Sequence, residues 1–132
     1  MDSANRGVIN FRDRAKQLRD FSGLQFGKIT PTDIDGLIEY HNKCYVIIET
    51  KYMETPIPAG QKLALERMCD DLQKVKPCIV IIAHHDAMDP NQDIDVAACK
   101  VSEGRFKGEW KMPKSPKNVK EVVTKFLNTF DK

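Results

Sequence analysis

The spacing of apolar residues along the chain predicts alternating helices and strands. Helical spacing predicts amphipathic helices over about 8–22, 59–74 and 118–130. Short runs rich in β-branched and aromatic residues predict a hairpin with strands over about 36–41 and 44–52, turned at the polar segment between them. Two prolines soon after the second strand prevent the ladder from continuing, since proline cannot donate a backbone hydrogen bond.

An unbroken apolar run over 78–83 is typical of a strand buried on both faces. Because a strand, a helix and a strand follow one another with a right-handed crossover, this strand is predicted to be parallel to 44–52. A second hairpin is predicted over 96–101 and 105–112, turned at Glu103–Gly104. The pattern indicates an α/β fold with a central mixed sheet flanked by helices.

The chain has 132 residues, which predicts a single domain over 1–132. The longest apolar run has six residues, 78–83, and the first six residues include no apolar signal-peptide core, so we expect a cytoplasmic protein with no membrane span. The cysteines are unevenly spaced and include no C-x-x-C pair, which indicates reduced, buried thiols. They are Cys44, Cys69, Cys78 and Cys99.

The net charge of +2 conceals a division along the chain. Residues 1–28 hold six basic and three acidic side chains, residues 29–99 hold six and twelve, and residues 100–132 hold nine and four. An acidic centre suits cation binding, and basic flanks suit a polyanion such as nucleic acid. The same basic residues also fit the solvated faces of terminal helices, so charge alone leaves both interpretations open.

Candidate catalytic residues gather around the first hairpin. The period of two along a strand places Glu49 and Lys51 on one face. Antiparallel pairing across the turn brings Asp33 or Asp35 opposite that end of the second strand. Two acids and a lysine at one sheet edge predict a site for a divalent cation. Alternatively, Asp35 caps a turn, and Glu49 and Lys51 form a surface ion pair. The apolar residues 45–48 that precede them favour the cation site, because they indicate a central strand in which charged side chains are costly without partners.

This Asp and Glu-x-Lys arrangement on a hairpin, followed by a helix and a buried strand, resembles the core of the PD-(D/E)XK nuclease superfamily. That superfamily has the restriction-endonuclease-like fold and also includes Holliday-junction resolvases and lambda-type exonucleases. The resemblance covers about residues 10–85. It implies an αβββαβ order, to which this chain adds a C-terminal hairpin and helix, and Mg²⁺- or Mn²⁺-dependent hydrolysis of DNA.

The resemblance also implies roles for individual residues. Asp35 and Glu49 are the expected metal ligands, with the backbone carbonyl of Thr50 as a third. Lys51 is expected to orient the attacking water, and Gln61 matches a glutamine that several branches place near the site. Asp33 remains an alternative for the first acid, because the chain has no literal Pro-Asp pair there.

The resemblance further implies a phage-associated enzyme acting on DNA, with resolvase-like, structure-selective cutting by a homodimer as one form. A different class of function is a catalytically inactive member of the fold that binds nucleic acid or a protein. A third hypothesis is a metal-dependent hydrolase that uses His84, His85 and Asp86, which follow the buried strand. Basic and aromatic residues are candidates for contact with the DNA backbone: Tyr52, Lys62, Arg105, Lys107, Trp110, Lys111, Lys114 and Lys117.

Overall fold

A computed structural model describes residues 20–131 of the chain. The helix predicted over about 8–22 lies outside these residues apart from its last three positions. The chain divides into two compact units, Met1–Thr32 and Asp33–Lys132, which are described separately. In the first unit the described residues form a 3-10 turn at Ser22–Leu24. All candidate site residues belong to the second unit.

The second unit is built on a five-stranded mixed sheet. The strands are β1 Gly36–Tyr40, β2 Cys44–Tyr52, β3 Cys78–His85, β4 Lys100–Phe106 and β5 Glu109–Lys111. They lie in sequence order across the sheet. β2 and β3 are parallel, as predicted, and the other pairs are antiparallel. The α/β class and the mixed sheet are therefore confirmed.

Two helices cover opposite faces of this sheet. Helix α1, Ala59–Gln73, connects β2 to β3 and packs through Leu65 and Cys69 against Ile47, Val80 and Ile82. Helix α2, Val119–Phe130, packs through Val119 and Phe126 against the other face, which includes Val46, Ile48, Ile81 and Val101. Successive residues of a strand point to opposite faces, so the apolar run at β3 supplies both cores. This accounts for the absence of alternation in its sequence.

The second hairpin differs from its prediction. Its turn lies at Lys107–Gly108, where φ is +52° and +80°, and not at Glu103–Gly104. Gly104 is inside β4, and a Cβ atom there would lie 3.2 Å from the carbonyl oxygen of Val80. The glycine therefore permits close approach of β4 to β3, a requirement that sequence inspection mistakes for a turn.

The order of elements that the resemblance implies is not confirmed. Within the described residues two strands, β1 and β2, precede α1, where an αβββαβ order has three. The described order is two strands, a helix, three strands and a helix. The structure thus shows the general α/β architecture but does not show a specific restriction-endonuclease-like topology.

The four cysteines are free and buried, as the sequence predicts. They contribute to the two apolar cores as small hydrophobic side chains. A separate observation concerns membranes: among the helices that the structure describes, none has both the length and the apolar character needed to cross a bilayer.

Candidate active site

The candidate site lies at the C-terminal end of β2, on the sheet face that α1 covers. Glu49 follows Ile47 with the spacing of two that keeps both side chains on this face, and Ile47 is fully buried against α1. The parallel register places Glu49 beside Ile82 and Lys51 beside His84 of β3. The apolar neighbours explain why only 2% of Glu49 is exposed.

Asp35 immediately precedes β1 and meets β2 across the hairpin. Gly36 pairs with Ile48, so the next position outward sets Asp35 opposite Glu49. One carboxylate oxygen of Asp35 accepts hydrogen bonds from the backbone N–H of Thr50 at 2.8 Å and from its hydroxyl at 3.1 Å. These two bonds hold an exposed carboxylate at the end of the Glu49 strand.

Lys51 connects Glu49 to the first turn of α1. Its Nζ lies 3.2 Å from Oε1 of Glu49 and donates to Oε1 of Gln61 at 3.1 Å. Gln61 in turn donates through Nε2 to the backbone carbonyl of Asp33 at 3.5 Å. Lys51 is therefore held between two acceptors, with 21% of its side chain exposed. The structure brings all four predicted side chains, Asp35, Glu49, Lys51 and Gln61, to one place.

The electrostatics of Glu49 combine opposing effects. Burial raises the pKa of Glu49 above its ordinary value, and the negative charge of Asp35 raises it further. The hydrogen bond and positive charge of Lys51 lower the pKa of Glu49, as does hydrogen bonding with Gln61, but the net direction is upward. The surroundings of Glu49 therefore disfavour its ionised form despite the neighbouring Lys51.

One oxygen of Glu49 has no partner. Oε2 is buried and accepts no hydrogen bond from any residue that the structure describes. A buried carboxylate oxygen without a donor is costly, and a bound cation removes the penalty. Hard carboxylate oxygens from Asp35 and Glu49 suit Mg²⁺ or Mn²⁺, which are held by one or two carboxylates with water and substrate oxygens completing the shell. The donor set therefore fits such a cation.

Asp33 and Asp35, the two candidates for the first acid, occupy different positions. Asp35 has its carboxylate bound to Thr50, next to Glu49. The backbone carbonyl of Asp33 accepts a hydrogen bond from Gln61. The geometry favours Asp35 as the carboxylate that faces Glu49. The role predicted for the Thr50 carbonyl, as a third metal ligand, stays a prediction.

The two histidines after the buried strand lie in different surroundings. His84 neighbours Lys51, and its Nε2 lies 3.0 Å from Oγ of Ser102. Ser102 donates to the carbonyl of Ile82 at 3.1 Å, so its hydroxyl accepts from an Nε2–H of His84. His85 packs edge-on against Tyr52, with ring centroids 5.6 Å apart. Within residues 20–131 no group of three or more His, Cys, Asp or Glu side chains is arranged to hold a metal.

Three of the residues predicted to contact DNA make contacts within the fold. Arg105 makes a bidentate pair with Asp70, with N–O distances of 2.9 and 2.7 Å. Trp110 donates from Nε1 to Glu66 at 2.8 Å. Lys62 lies 2.8 Å from a carboxylate oxygen of Glu103 and 4.6 Å from the centroid of the Trp110 ring. The pattern of basic and aromatic residues thus joins α1 to β4 and β5, a role that sequence inspection did not identify.

Comparisons with known proteins found no match for this chain. No family model matches the chain, and no curated protein or solved structure matches it.

Proposed function

We propose that the protein hydrolyses phosphodiester bonds of DNA with a divalent cation, through Asp35, Glu49, Lys51 and Gln61. The observation that supports this most is the buried, unpartnered Oε2 of Glu49 beside a lysine that is fixed by two acceptors. A surface ion pair has no need to bury one carboxylate oxygen without a donor. A cation site needs an oxygen of this kind.

Asp35 and Glu49 would hold Mg²⁺ or Mn²⁺, with the Thr50 carbonyl as a further oxygen. When bound, the cation supplies positive charge against the phosphate and the leaving alkoxide. The two hydrogen bonds that Thr50 donates to Asp35 orient that carboxylate in the absence of a cation. The site is thereby organised by the hairpin itself.

Lys51 has three ammonium protons, and two of them face Glu49 and Gln61. The third is available to a water molecule or to an oxygen of the scissile phosphate. Because Glu49 and Gln61 restrict the rotation of the ammonium group, this proton keeps one direction. Lys51 thus orients the attacking water and offsets charge as it develops on the phosphate.

DNA as the substrate is supported by the resemblance to PD-(D/E)XK nucleases and by the nine basic residues of 100–132. Structure-selective cutting by a homodimer is one form of the proposal. The competing function is a nucleic-acid or protein binder without catalysis. A binder has no need of a buried carboxylate oxygen without a donor at Glu49, which makes binding without catalysis the weaker candidate.

The test incubates linear, circular, nicked and four-way-junction DNA with the wild-type protein, Glu49→Gln and Lys51→Ala, in Mg²⁺, Mn²⁺ or EDTA. We expect cleavage by the wild-type protein with either metal, none in EDTA, and a loss of at least ~100-fold in both variants. Arg67→Ala, an exposed position on α1, is the control and should cut like the wild type. Equal cleavage by all four proteins would show that another site or a contaminant is responsible.

A further inference from the structure

Two side-chain atoms are buried without a hydrogen-bond partner among the described residues, and both lie near Lys51. They are Oε2 of Glu49 and Nδ1 of His84. The parallel register pairs Glu49 with Ile82 and Lys51 with His84, and residues two positions apart on a strand share a face. Ile82 packs against α1, so Glu49, Lys51 and His84 all lie on the face that α1 covers. The proposed function gives Oε2 of Glu49 a cation and leaves Nδ1 of His84 without a role.

The hydrogen bonds around His84 make its Nδ1 an acceptor. Ser102 donates its hydroxyl proton to the carbonyl of Ile82 at 3.1 Å, so its oxygen, 3.0 Å from Nε2 of His84, accepts the Nε2–H proton. A neutral imidazole has a single N–H, and its other nitrogen keeps a lone pair. Nδ1 therefore needs a donor, since a buried acceptor without one is unfavourable.

The position of Ser102 also sets the direction of Nδ1. In the sheet β3 lies between β2 and β4, with Lys51 on β2 and Ser102 on β4. The two nitrogens of an imidazole ring point away from each other. Because Nε2 of His84 faces β4, Nδ1 is directed to the side of β2, where Lys51 is the register partner. His84 is half-buried and lines a cavity of about 590 Å³ at this end of the sheet, so solvent reaches the ring.

The chemistry of this position selects water as the donor to Nδ1. Mg²⁺ and Mn²⁺ prefer oxygen ligands, so the proposed cation suits the carboxylate of Glu49 better than an imidazole nitrogen. A phosphodiester group within a DNA strand has no O–H or N–H to donate. A water molecule has both an acceptor oxygen and O–H donors. One water can therefore accept from Lys51 and donate to His84.

We propose that His84 is a further catalytic residue, which orients the attacking water through a hydrogen bond accepted by Nδ1. The inference rests on the proposed function and deepens it. Lys51 holds the water by its third ammonium proton, and His84 fixes the direction of one O–H, so that a lone pair of the water oxygen is directed at phosphorus. Ser102 is a positioning residue, because its hydroxyl keeps His84 in the Nε2–H tautomer. The role adds no bond-making step to the hydrolysis.

Two substitutions at His84 separate the role of Nδ1 from that of Nε2. In His84→Asn the side-chain carbonyl takes the place of Nδ1 as an acceptor, and the bond to Ser102 is lost. In His84→Gln the side-chain amide reaches Ser102, and no acceptor remains at the position of Nδ1. We expect kcat for DNA cleavage to fall at least ~10-fold in His84→Gln and about threefold in His84→Asn, with little change in KM. A merely structural role through Ser102 predicts the reverse order.

His85 is the matched control. Its Nδ1 already accepts from the backbone N–H of Ala87 at 3.2 Å, and its side chain points to the opposite face of the strand from that of His84. His85→Gln should therefore cut DNA like the wild type. The thermal midpoint of each variant shows that it is folded.

A second measurement needs no cleavage. Two-dimensional ¹⁵N NMR of the histidine side chains at pH 8 should show the Nε2–H tautomer for His84. Ser102→Ala should raise the share of the Nδ1–H tautomer of His84, because the acceptor that selects Nε2–H is removed. The tautomer of His85 should be the same in both proteins.

The outcomes separate this inference from the proposed function. Cleavage by His84→Gln that equals that of the wild type, or exceeds that of His84→Asn, would overturn the role of His84 and leave the nuclease proposal standing. An Nδ1–H tautomer of His84 in the wild type would do the same. A wild-type protein that cuts no DNA would reject the nuclease proposal and, with it, the role of His84 in cleavage.

Discussion

The ammonium nitrogen of Lys51 lies 3.2 Å from Oε1 of Glu49, and the second carboxylate oxygen of Glu49 is buried without a partner. Lys51 therefore pairs with only one of the two carboxylate oxygens of Glu49. One oxygen lies beside the lysine ammonium, and the other accepts no hydrogen bond from the described residues. This asymmetry is the basis for the cation site proposed at Asp35 and Glu49.

Glu49→Gln is expected to abolish activity without destabilising the fold. The pKa of Glu49 is raised in the folded protein, so the stability it contributes is present below the ordinary value of 4.5 and is lost as pH rises through the folded pKa. The glutamine side chain of the variant does not ionise, so the variant does not lose this stability as the pH rises. Thermal unfolding in EDTA from pH 4 to pH 8 should show a fall in the midpoint for the wild type and a smaller fall for the variant. A variant that is less stable than the wild type at pH 8 would contradict this account of Glu49.

Lys51→Met is expected to destabilise the protein, because it leaves the buried Glu49 carboxylate with no positively charged neighbour among the described residues. Leaving the Glu49 carboxylate without this donor should lower the unfolding free energy by about 1–3 kcal/mol at pH 8. The double variant Lys51→Met, Glu49→Gln should recover most of this loss while remaining inactive. Urea unfolding in EDTA measures all four proteins of the cycle. Additive effects in the double variant would mean that the two side chains do not interact.

Gln61→Ala is expected to affect catalysis more than folding. The variant removes one of the two acceptors that fix Lys51, so kcat should fall about tenfold with little change in KM. Stability should stay within about 0.5 kcal/mol, since Gln61 lies in the first turn of a helix. Steady-state cleavage kinetics test this, with Gln92→Ala, an exposed glutamine in a loop, as the matched control. An unchanged kcat would show that Gln61 has no role in catalysis.

Arg105→Lys is expected to weaken the fold and spare the chemistry. Lysine cannot reproduce the two parallel bonds to Asp70, so the unfolding free energy should fall by about 1 kcal/mol. Arg105 holds the pKa of Asp70 below its ordinary value of 3.8, so this stabilisation is present above pH 3.8 and is lost as pH falls through the folded pKa. Trp110 is the sole tryptophan and lies beside the pair, so its fluorescence reports the unfolding. A large loss of DNA cleavage in this variant would show that Arg105 also contacts substrate.

The local sequence pattern predicted most of the second unit. The hairpin of β1 and β2, helix α1, the parallel placement of β3 and helix α2 follow from apolar spacing and from the crossover rule. The convergence of Glu49 and Lys51 with either Asp33 or Asp35 followed from strand period and antiparallel pairing, which left the choice between the two acids open. These features depend on neighbours in sequence or on one tight turn, which local patterns determine well.

Features that depend on distant contacts were not predicted. Gly104 looked like a turn residue because its close approach to Val80 is invisible in sequence. The internal hydrogen bonds of Arg105 and Trp110 were not predicted, because their partners, Asp70 and Glu66, lie more than 30 positions away. Basic and aromatic residues favour nucleic acid and internal ion pairs equally, and tertiary structure decides between them.

The central claim is that Asp35 and Glu49 bind a divalent cation, and its most direct measurement is paramagnetic broadening of amide signals by sub-stoichiometric Mn²⁺. The account predicts selective broadening around Asp35, Glu49 and Thr50 in the wild type, and its loss in Glu49→Gln. Broadening centred elsewhere, such as the acidic loop 86–95, or identical broadening in the variant, would contradict it.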